Sequence, residues 1–228
     1  MPITTCVFDA YGTLFDVNAA ARQVAEEPDY VHIRKDWTQI AEHWRLKQLQ
    51  YSWVRAITAA HVDFWQVTQE GLDWALERTG HHGDTAVRDR LLALYWELDA
   101  YPEVPDMLAE LKATGLHTAI LSNGSRAMLD GAVQSAGIGV VLDACLSVEE
   151  VDVFKPHSAV YDLVCKRFGC INENVLFVSS NGWDAAAATG YGFETAWVNR
   201  SGDPMDRLPW TPHHVLKDLT GIPALAGV

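Results

Sequence analysis

Positive charge is scarce in this chain. Its 228 residues include 17 lysines and arginines against 30 aspartates and glutamates, which gives a formal net charge of -13 at pH 7. Proteins that bind nucleic acid or anionic membranes carry a basic face that neutralises phosphate groups. We therefore expect neither nucleic acid nor a membrane among its partners. An acidic small molecule stays open as a ligand, because a site can carry its own local cations.

Metal-binding and disulfide patterns are missing as well. The four cysteines are scattered without a CxxC pair, and the nine histidines form no HExxH motif. We therefore predict no metal ion, no cofactor, and reduced thiols in a cytoplasmic protein. The apolar run at residues 3–8 is too short for a signal peptide, and no run approaches the ~20 residues of a membrane helix.

Apolar residues make up 49% of the chain, which is enough for a sizeable core. The length suits one domain, or one domain with a substantial insert. Short apolar runs at residues 3–8, 117–121, 175–178 and 195–198 indicate strands, and helical sequence precedes each of the last three. Strands that alternate with helices predict a parallel sheet with helices on both faces.

Residues 17–100 differ from the rest of the chain. They are rich in tryptophan, and apolar residues recur at spacings of three and four, which is typical of amphipathic helices. Asp63 and Asp84 are suited to cap helix N-termini, and no convincing strand interrupts the stretch. We therefore predict an α/β protein. Residues 1–16 and 101–228 form its Rossmann-like core, and residues 17–100 are inserted as an all-helical cap.

Polar segments follow three of the predicted strands. They are residues 9–13, residues 122–123 and residues 179–184, while the pair Lys155-Pro156 precedes a predicted helix that contains Tyr161. In an open parallel sheet, ligands bind beyond the carboxyl ends of the strands. Four polar segments at one edge of the sheet therefore predict a ligand site there.

The four segments resemble the motifs of the haloacid dehalogenase superfamily. Residues 9–14, DAYGTL, fit its DxxGT motif, and Ser122-Asn123, Lys155-Pro156 and Asp184 are similar to its other three. The resemblance is narrowed to the L-2-haloacid dehalogenase (type II) family by WRLKQL at 44–49, LSNGS at 121–125 and FVSSNGWD at 177–184. It covers nearly the whole chain, and four ordered motifs with WRLKQL are far more specific than DxxGT alone.

Position 11 distinguishes two branches of this superfamily. The phosphatases have Asp-x-Asp there, and the second acid protonates the leaving alkoxide and helps to hold Mg²⁺. Here Tyr11 replaces that acid. A halide is a much weaker base than an alkoxide and leaves without a proton. The resemblance therefore implies hydrolytic dehalogenation of short-chain (S)-2-haloacids to (R)-2-hydroxyacids, with a Mg²⁺-dependent small-molecule phosphatase as the alternative.

In the mechanism that the resemblance implies, Asp9 is the nucleophile. Its carboxylate attacks the halogen-bearing carbon, inverts that centre and forms an ester, and water then attacks the ester carbonyl. Arg45, with Asn123, stabilises the departing halide. Lys155 keeps Asp184 ionised by its opposite charge, so that Asp184 can orient or activate the water.

Further motif residues are implied to bind or to orient. Ser122 and the backbone N–H groups around Tyr11 and Gly12 hold the substrate carboxylate, since Gly12 permits a close approach of the backbone. Thr13 and Ser179 orient the nucleophile and its neighbours by hydrogen bonds. Local capping and packing remain a serious alternative for such hydroxyl groups.

The last implied catalytic residues are Asn181, which lies against the same pocket, and Tyr161, which resembles the tyrosine that contacts the motif lysine. An apolar pocket wall is predicted from Tyr11, Leu49, Phe64 and Trp183. For Leu49 and Phe64, an ordinary place in the core is the alternative.

Some features of the chain depart from the family pattern. Leu46 stands where glutamine commonly follows the arginine, Gly182 stands where alanine is common, and the segment between residues 26 and 37 is lengthened. These differences leave the chemistry in place and bear on substrate range. Members of the family often form homodimers, so we expect a homodimer here.

A third interpretation is a non-catalytic relative that acts as a binding or regulatory protein. Such a protein is expected to have lost at least one of Asp9, Lys155 and Asp184. All three are present, which favours an enzyme.

Overall fold

The computed structural model describes residues 2–228, apart from the side chains of residues 18–21. Six parallel strands form one sheet in the order β3-β2-β1-β4-β5-β6. The strands are β1 (Thr5–Phe8), β2 (His117–Ser122), β3 (Ala144–Ser147), β4 (Val175–Ser179), β5 (Glu194–Val198) and β6 (His214–Leu216). The order runs outward from β1 in both directions, as in Rossmann-like folds, so that right-handed crossovers put helices on both faces. The predicted fold class is confirmed.

The strands predicted from sequence correspond to β1, β2, β4 and β5. The two edge strands, β3 and β6, were not predicted. They have four and three residues, which is too short for a strand pattern to stand out.

In the described part of the chain, five α-helices lie within residues 101–228 and four within residues 17–100, the predicted insert. Those within residues 101–228 are α5 (Val104–Ala113), α6 (Arg126–Ala136), α7 (Ser158–Phe168), α8 (Gly182–Tyr191) and α9 (Ile222–Ala226). Those of the insert are α1 (Val17–Glu26), α2 (Trp37–Thr58), α3 (Phe64–Arg78) and α4 (Thr85–Ala93). None of the helices in the described part of the chain is long and apolar enough to cross a membrane.

Local sequence explains where the insert helices begin and how they pack. Asp63 accepts a hydrogen bond from the backbone N–H of Gln66 at α3, and Asp84 does the same for α4, so both predicted N-caps are confirmed. Helices α2 and α3 approach closely at Gly71, where a β-carbon would lie 3.3 Å from the Trp44 side chain. A glycine therefore lets the two longest insert helices pack together.

Two chain segments connect the insert to the sheet, and we call residues 13–16 and 99–103 together the cap junction. Phe15 and Ala100 form an antiparallel bridge. The N–H of Asp16 donates to the carbonyl of Asp99 at 3.1 Å, and the N–H of Tyr101 donates to that of Leu14 at 2.9 Å. The outgoing and returning segments are thus bonded to each other. The division of the chain into core and cap at residues 16 and 101 stays a prediction.

Strand β1 lies at the centre of the sheet and sets the position of the site. Phe8, its last residue, pairs with Ile120 of β2 and Val178 of β4. The backbone N–H of Asp9 then donates to the carbonyl of Val178 at 2.9 Å. The polar segments after β1, β2 and β4 therefore meet at one edge of the sheet, as the sequence predicted.

Candidate active site

Asp9 is held by three side chains, one from its own loop and two from distant parts of the sequence. The Lys155 ammonium (Nζ) donates to Asp9 Oδ1 at 3.2 Å. Asp9 Oδ2 accepts from Thr13 Oγ1 at 3.1 Å and from Asn181 Nδ2 at 3.1 Å. Only 7% of Asp9 is exposed. Its carboxylate therefore has a fixed orientation in a site that is largely closed to bulk water.

Lys155 lies between two carboxylates. Its Nζ is 2.8 Å from Asp184 Oδ2, and Tyr161 donates its hydroxyl to Asp184 Oδ1 at 2.7 Å. Lys155, Tyr161 and Asp184 are all buried. Asn123, in the loop after β2, fixes the backbone position of Lys155, because Asn123 Oδ1 accepts from the backbone N–H of Lys155 at 2.9 Å.

The charges of this buried group depend on one another. Burial opposes the ammonium of Lys155, yet the Asp184 and Asp9 carboxylates outweigh it, and the pKa of Lys155 is raised above its ordinary value. Burial also raises the pKa of Asp184, while Lys155 and the hydroxyl of Tyr161 act in the opposite direction. We assign an ionised Asp184, because an ammonium and a phenol both donate to it at close range.

Asn181 connects the cap to the nucleophile. It occupies the N-cap position of α8, yet its side chain forms no capping hydrogen bond. Instead its Oδ1 accepts from Arg45 Nη2 of α2 at 2.7 Å, while its Nδ2 donates to Asp9. Arg45 of α2 therefore reaches the asparagine that bonds Asp9, and its predicted role at the departing halide stays a prediction. Asp184 lies in the first turn of α8, where the helix dipole favours negative charge.

Two predicted hydroxyl groups bind local backbone rather than the nucleophile. Ser122 Oγ accepts from the N–H of Gly124 at 3.0 Å, and Ser179 Oγ accepts from the N–H of Asn181 at 3.1 Å. Both shape the turns that follow β2 and β4. Ser179 thus orients a neighbour of Asp9, and the predicted role of Ser122 in carboxylate binding stays a prediction.

Gly12 makes the tight turn after β1 possible. Its φ is +85°, in the left-handed region that favours glycine, and a β-carbon would lie 3.1 Å from Ser180 Oγ. The N–H of Ser180 in turn donates to Thr13 Oγ1 at 2.8 Å. The loops after β1 and β4 are therefore bonded to each other beside Asp9.

Tyr11 forms an aromatic cluster with the cap. Its ring centroid is 6.2 Å from that of Phe64 and 5.6 Å from that of Tyr95. Burial raises the pKa of Tyr11 well above its ordinary value, so its hydroxyl stays neutral. Among the residues that the structure describes, that hydroxyl has no hydrogen-bond partner. The rings of Tyr11 and Phe64 thus pack against each other, and their predicted role as an apolar pocket wall stays a prediction.

The other predicted wall residues are less closely joined to this cluster. Trp183, half-buried, contacts Trp53 of α2 edge-to-face at 5.4 Å between centroids. Leu49 is half-buried as well, and its predicted place in the wall stays a prediction.

The two single-residue departures from the family pattern lie in different surroundings. Leu46 is 45% exposed. At Gly182, a β-carbon would lie 2.6 Å from Asp206 Oδ2, so an alanine would displace that side chain.

Several contacts at the site were not predicted from sequence. Tyr95 and Trp53 lie within residues 17–100 and were not selected as site residues from the sequence. Phe154 packs on Phe64 with centroids 6.1 Å apart, and its place directly before Lys155 was a usable signal. Ser180 lies between two selected residues of its motif, Ser179 and Asn181, and its hydrogen bonds with Thr13 identify it.

This arrangement suits displacement by a carboxylate. Asp9 offers one fixed anion, Arg45 of α2 brings a cation to the asparagine that bonds Asp9, and Asp184 is a second carboxylate. In the described part of the chain, no three His, Cys, Asp or Glu side chains gather as ligands for a metal ion. The two site carboxylates share the ammonium of Lys155 instead.

Known proteins with similar sequence and structure define the family. A model of the haloacid dehalogenase-like hydrolases matches residues 3–192. The chain is 42% identical over 224 residues to (S)-2-haloacid dehalogenase 1 of Pseudomonas sp. (strain CBS-3), with 98% of this chain and 96% of the relative covered. It is also 42% identical over 217 residues to the (S)-2-haloacid dehalogenase of Pseudomonas fluorescens, with coverages of 95% and 93%.

A solved structure agrees with these relatives. The L-2-haloacid dehalogenase of Xanthobacter autotrophicus with chloropropionic acid covalently bound has a TM-score of 0.88 and 36% identity, with 99% of this chain and 98% of that chain covered. The chain belongs to the haloacid dehalogenase-like hydrolase family. Within it, the relatives that match over nearly the whole length are (S)-2-haloacid dehalogenases, so the resemblance drawn from the motifs is confirmed.

Proposed function

We propose that this protein hydrolyses short-chain (S)-2-haloacids to (R)-2-hydroxyacids through an ester on Asp9. The observation that carries the proposal is the fixed carboxylate of Asp9, bonded by Thr13, Lys155 and Asn181, with the Arg45 guanidinium on the same asparagine. A preorganised nucleophile and a preorganised cation for the leaving anion supply the main needs of this displacement.

In the first step, an oxygen of Asp9 attacks C2 of the substrate from the side opposite the halogen. The carbon–oxygen bond forms as the carbon–halogen bond breaks, the electron pair leaves with the halide, and C2 is inverted. Arg45 stabilises the halide, with Asn123 as its proposed second contact. Ser122 and the backbone N–H groups around Tyr11 and Gly12 bind the substrate carboxylate.

In the second step, water attacks the carboxyl carbon of the Asp9 ester. Asp184 orients this water and accepts a proton, and Lys155 stabilises the negative charge that develops nearby. The bond between the carboxyl carbon and the ester oxygen then breaks, Asp184 returns its proton to that oxygen, and the 2-hydroxyacid departs with an oxygen that came from Asp9 while the carboxylate is restored. Tyr161, by its bond to Asp184, keeps that carboxylate oriented.

The experiment compares bromoacetate turnover by the wild type and by Asp9→Asn, with Asp130→Asn as control, because the Asp130 side chain on α6 is 61% exposed. An amide is a poor nucleophile, so bromide release should stop in Asp9→Asn and continue in the control. A single turnover in ¹⁸O-water should label Asp9 before product. Bromide release at the wild-type rate by Asp9→Asn, or label that enters product directly, contradicts the ester.

A chelator separates this proposal from the Mg²⁺-dependent phosphatase alternative. The phosphatase branch needs a second acid at position 11, where this chain has the buried, neutral Tyr11. We expect halide release to be the same with EDTA and with Mg²⁺. Phosphate ester hydrolysis that rises with Mg²⁺, without any halide release, would reverse the order of the two functions.

We also propose that the protein is a cytoplasmic homodimer. The four cysteines are free thiols, which suits a reducing compartment. Leu46, Val54 and Ile57 are 45%, 57% and 84% exposed along one side of α2, and clustered exposed apolar side chains mark protein contacts. Light scattering should give a dimer for the wild type and a monomer for Ile57→Asp. A monomeric wild type contradicts the proposal.

A further inference from the structure

Arg200 follows β5 and contacts both segments of the cap junction. Its Nη1 is 2.7 Å from Glu103 Oε1, and its guanidinium carbon lies 3.6 Å from the centroid of the Tyr101 ring. Both residues belong to the returning segment. Its Nη2 donates to the backbone carbonyl of Thr13 at 3.3 Å, in the outgoing segment. One side chain of the core thus binds the chain where it leaves for the cap and where it returns.

Thr13 continues this contact to the nucleophile. Its carbonyl accepts from Arg200, while its hydroxyl donates to Asp9 Oδ2 at 3.1 Å and accepts from the N–H of Ser180 at 2.8 Å. Thr13 is fully buried. A displacement of its backbone must therefore move a hydrogen-bond donor of the attacking carboxylate.

We propose that Arg200 is a positioning residue, which fixes Thr13 and the cap junction so that Asp9 faces its substrate in the attacking orientation. The proposal rests on the proposed function, since it assigns Asp9 as the nucleophile. Arg200 itself touches no reacting atom. It acts through Thr13, and displacements of about 1 Å at a reacting group are known to cost up to about a hundredfold in rate.

The chemistry of the three contacts calls for arginine. A guanidinium is planar, stacks on an aromatic ring and donates in two directions at once. Lysine can keep the ion pair with Glu103, but it cannot also stack on Tyr101 and donate to Thr13. The pair with Glu103 is only 22% and 17% exposed at its two side chains, so solvent does not readily replace it.

The test compares Arg200→Met and Arg200→Lys with a matched control, Arg90→Met. Arg90 forms an equally close ion pair, 2.6 Å from Glu27, with 30% and 32% of the two side chains exposed, but inside the cap. We expect single-turnover bromide release by Arg200→Met to fall about tenfold while KM changes less than about twofold. The rate for Arg200→Lys should lie between those of the wild type and Arg200→Met. Arg90→Met should keep the wild-type rate.

Chemical rescue separates positioning from general loss of packing. Guanidinium ion, added far below concentrations that unfold the wild type, should restore part of the rate to Arg200→Ala and leave the rate of Arg90→Met, already that of the wild type, unchanged. Wild-type single-turnover rates in both Arg200→Met and Arg200→Lys overturn the proposal, as does an equal fall in Arg90→Met. If Arg200→Met fails to fold, the rate of Arg200→Lys decides.

Hydrogen exchange tests Arg200 independently of dehalogenation. Peptides that cover residues 10–16 and 99–104 should exchange faster in Arg200→Lys than in the wild type, and Arg90→Met should leave them unchanged. If the wild type releases no halide from any halo acid, the proposed function fails. Hydrogen exchange then still decides whether Arg200 holds the cap junction. Exchange rates in Arg200→Lys equal to those of the wild type would overturn that role too.

Discussion

Gly124 lies beneath the ring of Tyr11, so closely that a β-carbon on the glycine would be 2.8 Å from Tyr11 Cε2. The glycine after the Ser122-Asn123 pair therefore makes room for the aromatic residue that replaces the second acid of the phosphatase motif. The large side chain at position 11, in the loop after β1, therefore requires a residue without a β-carbon at position 124, in the loop after β2.

Gly124→Ala should push the Tyr11 ring away from its place. We expect a loss of about 1–3 kcal/mol in the free energy of unfolding, as for other overpacked sites, and a fall of about tenfold or more in kcat/KM for L-2-chloropropionate. Denaturant unfolding and halide release measure the two effects. Gly139→Ala is the control, because its β-carbon would meet only Val133 Cγ1, at 3.4 Å. Wild-type values in Gly124→Ala would contradict the match.

Tyr161→Phe should change the pH dependence of turnover. The hydroxyl of Tyr161 lowers the pKa of Asp184, so its removal raises that pKa further above the ordinary value. Asp184 then takes up its proton at a higher pH. The acid side of the kcat profile should therefore shift toward higher pH, because the protonated acid cannot activate water.

The matched control for this pH measurement is Tyr191→Phe. The Tyr191 ring lies 5.5 Å from that of Tyr161, but its hydroxyl bonds Asp162, not Asp184. Its pH profile should match the wild type. An unmoved profile in Tyr161→Phe, or one shifted toward lower pH, would show that Asp184 is not the group that limits turnover in acid.

Arg45→Gln should affect catalysis far more than stability. Loss of a preorganised cation at the leaving group typically costs about 100- to 1000-fold in rate, whereas Arg45 has one hydrogen bond, to Asn181, in the described contacts. Arg55→Gln tests the same change on the same helix. Arg55 pairs with Glu70 at 2.7 Å, a partly exposed pair worth about 0–1 kcal/mol, and its loss should leave halide release unchanged. Equal losses in the two variants would exclude a leaving-group role for Arg45.

Two thiols should survive the alkylating substrates of the enzyme. Burial raises the pKa of Cys6 to about 12, and that of Cys165 also to about 12. The reactive thiolate is then about one part in 10⁴ or less at pH 7.5. Mass spectrometry after turnover of bromoacetate should find neither residue carboxymethylated, and labelling should increase as the pH approaches 12. In urea both should react readily, and labelling of the folded protein at pH 7.5 would contradict the expectation.

The order of the motifs was sufficient to predict the centre of the sheet and which loops meet at its edge. Each of the three charged site residues comes after an apolar strand: Asp9 after β1, Lys155 after β3 and Asp184 after β4. Parallel strands bring the segments that follow them to one edge of the sheet. The helices of the insert were likewise evident from period and caps, as at Asp63. These features depend on local pattern and short-range physics, which a sequence states directly.

The sequence did not decide where each hydrogen bond of those side chains goes. Asn181 has the place of a helix cap, but in the structure it bonds Arg45 and Asp9, from two other elements. Ser122 binds backbone at its own turn. A polar side chain can satisfy local or distant groups at similar free energy, and the choice depends on which atoms the fold brings within 3 Å.

By itself, the sequence determined the chemistry available to this protein. It has the carboxylate of Asp9 after β1, then Lys155 and the carboxylate of Asp184, and at position 11 it has a tyrosine in place of the acid of the phosphatases. Only the tertiary structure decided how these groups are held. The contact of Arg200 with Thr13, and the fit of Tyr11 over Gly124, join residues more than 100 positions apart. Such contacts leave no periodic pattern along the chain, because they depend on the packing of whole elements and not on the propensities of neighbouring residues.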